Sequence, residues 1–342
     1  MASPKIFLTG ATGYIGGDSL AVITKAHPDW DITALVRSKE KGAQVTNNHP
    51  NVKLVYGDLD STGLIEEESK KADIVFHFAD CDHVASAEAI SRGLRAHSSD
   101  RPGYWIHTSG TGILTFEDFR ASSYGNYRAK EYNDWDGVGE VTSLPDDALH
   151  RNVDKIVLAA GQDFPDRVKT AIVCPPCIYG PGRGPGNTRS AQVYILTKEV
   201  LKRKKGIQVG KGENIWHSVH VQDLSDLFLA VGEAAASGDG KATWGDEGYY
   251  FAENGPFEWG AIQRSVAESA FQKKLIPSAE PDIFDEAKAN STASAGAYMW
   301  GTNSRGYAIR GRKLFGWSPT RPSLKELVPD IVDLEAKTLG LV

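Results

Sequence analysis

The first third of the chain alternates short apolar runs with amphipathic stretches. Residues 5–9, 33–37, 52–56, 74–78 and 104–107 have the length and the β-branched and aromatic content of buried strands. Between them, residues 14–26, 61–71 and 84–97 repeat apolar side chains at helical spacing, and a helix over 151–161 leads into a further strand at 169–173. Strands alternating with helices imply right-handed crossovers, so the predicted fold is α/β, a doubly wound parallel sheet with helices on both faces. From Gly180 the texture changes to long loops rich in Gly and Trp, with helices predicted at 190–205, 221–236 and 256–274. The Ala-Gly-Ser stretch 290–297 is read as a mobile surface loop, and the long, Tyr-rich segment 114–141 as a lid.

Composition narrows the class. At 342 residues, 41% hydrophobic and 24% charged, the chain can bury a large core, which excludes a disordered or fibrous protein. It has neither an apolar run long enough to span a membrane nor a leader-like start, so a cytoplasmic protein is expected. A net charge of -6 gives no electrostatic case for a nucleic-acid or membrane partner. The cluster Lys202-Arg203-Lys204-Lys205 is read as a cationic helix end. Three cysteines make no disulfide framework, and the pair Cys174 and Cys177 runs into a loop rather than a helix, against a redox or zinc role.

The first chemical signal is Thr9-Gly10-Ala11-Thr12-Gly13-Tyr14-Ile15-Gly16, which leaves the first strand and opens the first helix. Glycines at 10, 13 and 16 permit a tight turn, close backbone approach to a pyrophosphate and packing of helix on sheet, while the helix start offers free N–H groups. At the end of the second strand stands Arg37 rather than an acidic residue; a guanidinium pairs bidentately with a 2'-phosphate, so NADP is preferred over NAD.

The Thr-Gly-x-x-Gly-x-x-Gly turn resembles the fingerprint of extended short-chain dehydrogenases/reductases and their NmrA-like relatives. Four further segments resemble the same family in the same order. They are Tyr56-Gly57-Asp58-Leu59, Pro175-Pro176-Cys177-Ile178-Tyr179-Gly180-Pro181-Gly182, Val219-His220-Val221-Gln222-Asp223-Leu224 and Arg312-Lys313-Leu314-Phe315-Gly316-Trp317-Ser318-Pro319. The resemblance implies a Rossmann domain over residues 1–178, its sheet completed by segments within 215–252, and a smaller, interleaved substrate-binding region over 179–342. It places Asp58 and Leu59 at the adenine, Phe78, Ala79 and Asp80 beside the cofactor, and Pro175 and Ile178 near the nicotinamide. Cys81, Tyr179, Trp216 and His217 are the expected substrate contacts.

The catalytic pattern departs from that family, in which a Ser and a Tyr-x-x-x-Lys pair handle the proton. Gly110 stands at the Ser position, with Ser109 and Thr111 as its neighbours, and the Tyr and Lys positions fall on Asp146 and His150. Asp146 and His150 are read either as a replacement acid/base pair or as a helix cap and an ordinary helix residue. Tyr127 and Lys130, folding back from the long loop, are a third set. Asp82 and His83 are read as a helix cap, and no metal is expected, since Cys81, His83 and His77 lack a fourth ligand at convincing spacing. The leading expectation is an NADP-dependent oxidoreductase acting on a small-molecule carbonyl or alcohol, with no nucleic-acid or membrane partner and with a homodimer as the assembly that the resemblance implies. Beside it stand a non-redox lyase, aldolase, isomerase or epimerase retaining the dinucleotide, and an NmrA-like sensor without turnover.

Overall fold

The computed structural model describes residues 3–342. Its centre is a seven-stranded parallel sheet: β1 (Lys5–Thr9), β2 (Asp31–Val36), β3 (Lys53–Tyr56), β4 (Ile74–His77), β5 (Gly103–Thr108), β6 (Val168–Cys174) and β7 (Tyr249–Phe251). The spatial order is β7-β6-β5-β4-β1-β2-β3, so the sheet turns back on itself between β1 and β4, where a doubly wound sheet opens a crevice at its carboxyl ends. Helices α1 (Tyr14–Ala26), α2 (Lys39–Asn48), α3 (Thr62–Lys71), α4 (Val84–Leu94) and α5 (Arg151–Asp163) make the crossovers. Helix α1 spans the predicted residues and buries Gly16, Gly17, Leu20 and Ile23. Helix α2 is absent from the sequence reading because only Gly42 and Val45 are buried along it; Ser38, accepting a bond from the Lys41 N–H, starts it.

A second apolar core, containing Tyr179, Phe284, Trp259 and Trp300, gathers the helices Gln192–Arg203, Trp259–Gln272 and Leu324–Thr338. Its strands Cys177–Tyr179, Ile215–His220 and Pro256–Glu258 form a small separate sheet. Late segments also return to the first core. β7 pairs with β6, and Ala308 and Trp317 pack with the sheet's side chains. Two of the sequence motifs meet there: the Trp317 indole N–H donates to the Asp223 carbonyl at 2.8 Å, and the Asp223 carboxylate accepts the N–H groups of Thr320 (3.0 Å) and Arg321 (3.1 Å).

Residues 114–141 are not the open lid expected. They carry the helices Phe116–Ala121 and Val138–Val141 and the short strand Tyr132–Asn133, which pairs with Gly306–Tyr307. Two buried carboxylates fasten the segment. Asp118 accepts the Asn303 N–H at 2.6 Å, and Asp134 accepts those of Phe251, Ile309 and Arg310 at 2.7–2.9 Å. Burial pushes the Asp134 carboxyl up to about 6 despite these three donors. Residues 290–297 likewise bridge two helices, Glu286–Thr292 and Gly296–Gly301, with Ala297 buried and its N–H held by the Asn290 side chain at 3.0 Å.

Candidate active site

The glycine turn forms one wall of a cleft of about 500 Å³ at the carboxyl ends of β1, β2 and β4. Gly10 has φ +80°, and a Cβ on it would lie 2.7 Å from the Phe78 backbone, so only glycine lets the two strands' ends approach this closely. Gly16 is as constrained, since its added Cβ would overlap the Gly10 carbonyl and press on Phe78. Of the predicted cofactor residues, Gly10, Thr12, Gly13, Arg37, Asp58, Leu59, Phe78, Ala79 and Asp80 line this cleft. Among the lining residues outside that set are two that bring polar side chains from further along the chain. Lys41 follows Arg37 on the first turn of α2, and Asn187 arrives on the loop after Gly180.

That loop lies directly on α1. Gly184 and Gly186 have no room for a Cβ against Gly17 and Thr12, and the Asn187 N–H donates to the Thr12 carbonyl at 2.9 Å. It is clipped by Arg183, whose backbone N–H and guanidinium give three bonds of 2.7–3.0 Å to the fully buried Asp18. Tyr14, also predicted at the cofactor, turns its hydroxyl to the Gly180 carbonyl and does not line the cleft. A second cleft, of about 320 Å³, lies at the opposite strand ends between Trp30 and His49 and has no glycine turn.

Past Asp80 the chain runs into a compact polar group. His150 Nδ1 stands 2.8 Å from Asp82 Oδ1 and 3.4 Å from Cys81 Sγ. The three donor atoms lie within 4.8 Å of one another, a composition known for metal binding, but both short contacts fall on one ring nitrogen, which a proton there satisfies. Burial opposes charge on the imidazole; Asp82 and Cys81 outweigh it and raise His150 to about 10, so it is cationic at neutral pH. His150 is also a non-glycine residue at φ +65°, a conformation that costs about 1–3 kcal/mol and concentrates at functional sites.

Its Nε2 faces the glycines that follow β5. A Cβ on Gly110 or on Gly112 would come within 3.1 Å of that nitrogen, and one on Gly112 would overlap the Tyr298 hydroxyl. The lack of a side chain at these two glycines therefore lets an imidazole and a phenol come together against their backbone. Tyr298 belongs to the helix Gly296–Gly301 and was not found from the sequence, where no motif marks it.

Beside these groups lies a buried polar layer. Ser109 and Tyr249 donate to Asp154 Oδ2 at 3.0 and 3.1 Å, and His77 and His107 share a contact of 3.0 Å between their Nδ1 atoms. Burial pushes the Asp154 carboxyl up to about 6 and pulls His77 down to about 4. Ser109 thus points into the core, and Thr111 Oγ1 is taken up by Ser304 at 2.7 Å.

Several expected residues lie elsewhere. The Asp146–His150 pair does not form: α5 begins only at Arg151, so the two are not one helical turn apart on a common face, and exposed Asp146 binds Lys155 at 2.8 Å. The carboxylate on His150 is Asp82, while His83 alone accepts the cap bond from the Ser86 N–H. Tyr127 is exposed beside Arg305, and Lys130 pairs with Glu140 at 2.6 Å. Tyr179 and His217 are sealed in the interior, the first donating to the Pro322 carbonyl at 2.9 Å and the second 3.4 Å from Glu253. Trp216 is buried too, its N–H on the Thr302 carbonyl, and touches the site only through the edge of Tyr298. Pro175 and Ile178 lie at the end of β6 and in the small sheet, holding Thr111 and Ser190 by their carbonyls, and with Ile15 do not line the cleft.

Comparison with known proteins agrees with this geometry. The family model for NmrA-like proteins matches residues 2–93. The chain is 37% identical to "Oxidase ucsJ" of Acremonium sp, over 98% of this chain and 99% of that one. It is 26% identical to an uncharacterized protein of Saccharomyces cerevisiae, over 73% of this chain and 77% of the relative. Among solved structures it resembles UDP-glucose 4-epimerase of Thermotoga maritima (TM-score 0.64, 15% identity, 98% and 99% of the two chains). It also resembles dTDP-glucose 4,6-dehydratase of Bacillus anthracis, solved with NAD (TM-score 0.65, 15% identity, 98% and 97%).

Proposed function

The chain belongs to the extended short-chain dehydrogenases/reductases with NmrA-like relatives, and from that premise we propose that it is an NADP-dependent oxidoreductase acting on a carbonyl or alcohol of a small or medium-sized metabolite. The observation that carries this reading is the closeness of the cleft lining to the His150 cluster along the chain. Arg37, Lys41 and Asp80 all line the glycine-walled space, and Asp80 stands two residues before the carboxylate that charges His150. The lining suits a dinucleotide, with the bare backbone of Gly10 and Gly13 for a pyrophosphate and the cations Arg37 and Lys41 on the same cleft. Gly10, Thr12 and Gly13 would hold the pyrophosphate, Asp58 and Leu59 the adenine, and Arg37 with Lys41 a 2'-phosphate.

When bound, the cofactor supplies or accepts a hydride. The chain's own part is the proton. In the reducing direction the substrate oxygen gains a proton as its carbon is reduced; the Nε2–H of His150 gives it, and half-exposed Asp82 stabilises the cation before transfer and lets water restore it. In the oxidising direction the neutral imidazole takes the proton.

Calorimetry with NADP and NAD, followed by the reduced-nicotinamide absorbance band during incubation of NADPH with an aldehyde and ketone panel, tests the reading. Saturable uptake favouring NADP and loss of the band support it. Absence of uptake removes the dinucleotide altogether. Uptake without turnover favours a sensor, and product without loss of the band a non-redox isomerase or lyase.

A further inference from the structure

We propose that Tyr298 is a catalytic residue, the hydrogen-bond donor that holds the reacting oxygen against His150 and takes over the task of the serine replaced by Gly110. This inference rests on the oxidoreductase reading above and adds to it a residue from the far end of the chain.

The two glycines carry the argument. A side chain at Gly110 would press on His150 Nε2, and one at Gly112 on both Nε2 and the Tyr298 hydroxyl. Without those side chains the imidazole and the phenol both reach the Gly112 backbone, so one N–H and one O–H, neither paired within the described residues nor among their fully buried polar atoms, stand side by side as the donors that an alkoxide or carbonyl oxygen requires. The Tyr298 hydroxyl has no hydrogen-bond partner among the described residues, and its residue keeps part of its surface open although the ring is packed. Phe119 stacks on that ring at 5.6 Å and Trp216 meets it edge-on at 6.1 Å, so the hydroxyl is held in place by two aromatic contacts rather than by a competing polar group. A mobile surface tyrosine would have neither property.

The division of labour follows from the surroundings. Burial, and the acidic groups at Cys81 and Asp82, raise the Tyr298 phenol well above its ordinary range, so it stays protonated and donates. The groups facing His150 are Asp82 and Cys81 from the loop before α4, Asp154 from α5, His107 from β5 and Tyr298 itself. Only His150 among them is set to change charge during turnover. In reduction the carbonyl π pair moves onto oxygen as a hydride reaches carbon, that oxygen takes the His150 proton, and the Tyr298 O–H stays whole.

Tyr298→Phe keeps the ring and removes one atom. On any carbonyl that the native protein reduces, kcat is expected to fall about 10²–10³-fold, the loss typical of one oxyanion donor, with the alkaline limb of the pH profile kept at its midpoint; His150→Gln abolishes that limb. A kcat within about threefold of the native value overturns the proposal. A second readout needs no turnover. In protein labelled with 3-fluorotyrosine, the fluorine resonance lost in Tyr298→Phe is expected to shift on adding NADP and to stay in place with 2'-phospho-ADP-ribose, which lacks the nicotinamide. If NADP binds by calorimetry and that resonance does not move, Tyr298 lies off the site and the inference fails while the cofactor assignment stands; if NADP does not bind, both fall.

Discussion

The clip between Asp18 and Arg183 allows an unequal pair of mutants to be forecast. Asp18 is wholly buried in α1, whereas the Arg183 side chain is about one third exposed. Removing the guanidinium with Arg183→Ala leaves a buried carboxylate holding only the Arg183 backbone N–H, and breaking a buried pair from that side costs about 3–5 kcal/mol. The partial exposure of the Arg183 arm puts the expected loss at the lower end of that range, about 3 kcal/mol. Asp18→Ala instead strands a cation that turns into water; solvent screening trims its loss to about 1–2 kcal/mol. Urea unfolding of both single mutants and the double mutant measures the difference and the coupling. Because the same loop lays Gly186 and Asn187 on Thr12 at the cleft, NADP affinity should fall about tenfold in either single mutant. An Asp18→Ala protein as unstable as Arg183→Ala, or unchanged NADP affinity in both, would refute the reasoning.

Arg37→Ala should weaken NADP by about 10–100-fold and NAD by less than about threefold in calorimetry, the value of one or two charge-assisted bonds to the 2'-phosphate; equal losses contradict the assignment. Asp82→Asn should return the His150 imidazole from about 10 to its ordinary value or below, as NMR titration would show. His150's raised folded-state value contributes stability in full below about 6.5 and loses it as pH rises through about 10, so the native protein, and not Asp82→Asn, should show that decline in unfolding midpoints. Asp154 is also raised, to about 6, and so favours the fold at low pH and ceases to do so as pH rises from about 4 to 6. The stability of Asp154→Asn relative to the native protein should therefore increase across that window; a constant difference in urea midpoint would count against it.

The sheet and its glycine turn were legible because their signals are local. Helix α1 covers the predicted residues, and nine of the predicted cofactor residues line one cleft, since strand, turn and helix are set by side chains a few positions apart. The acid/base group was legible only in part. Counting back from β6 found His150, but the assumption of a continuous helix paired it with Asp146; the helix starts only at Arg151, after both residues, and the left-handed His150 turns its imidazole to Asp82 instead. Tyr298 had no signal at all, because the glycines that admit its hydroxyl lie far from it in sequence. Trp216 and His217 misled in the other direction, their polar and aromatic character serving burial against Thr302 and Glu253.

The return of β7 and of the segment around Trp317 to the first core also bears on synthesis. The glycine turn is made long before the edge strand beside β6 and the indole that donates to Asp223. Until that strand has been made, the nascent sheet stands with its β6 edge open. Premature termination after residue 248 would thus release a fragment lacking its seventh strand, ready to pair with another copy, rather than a smaller working protein.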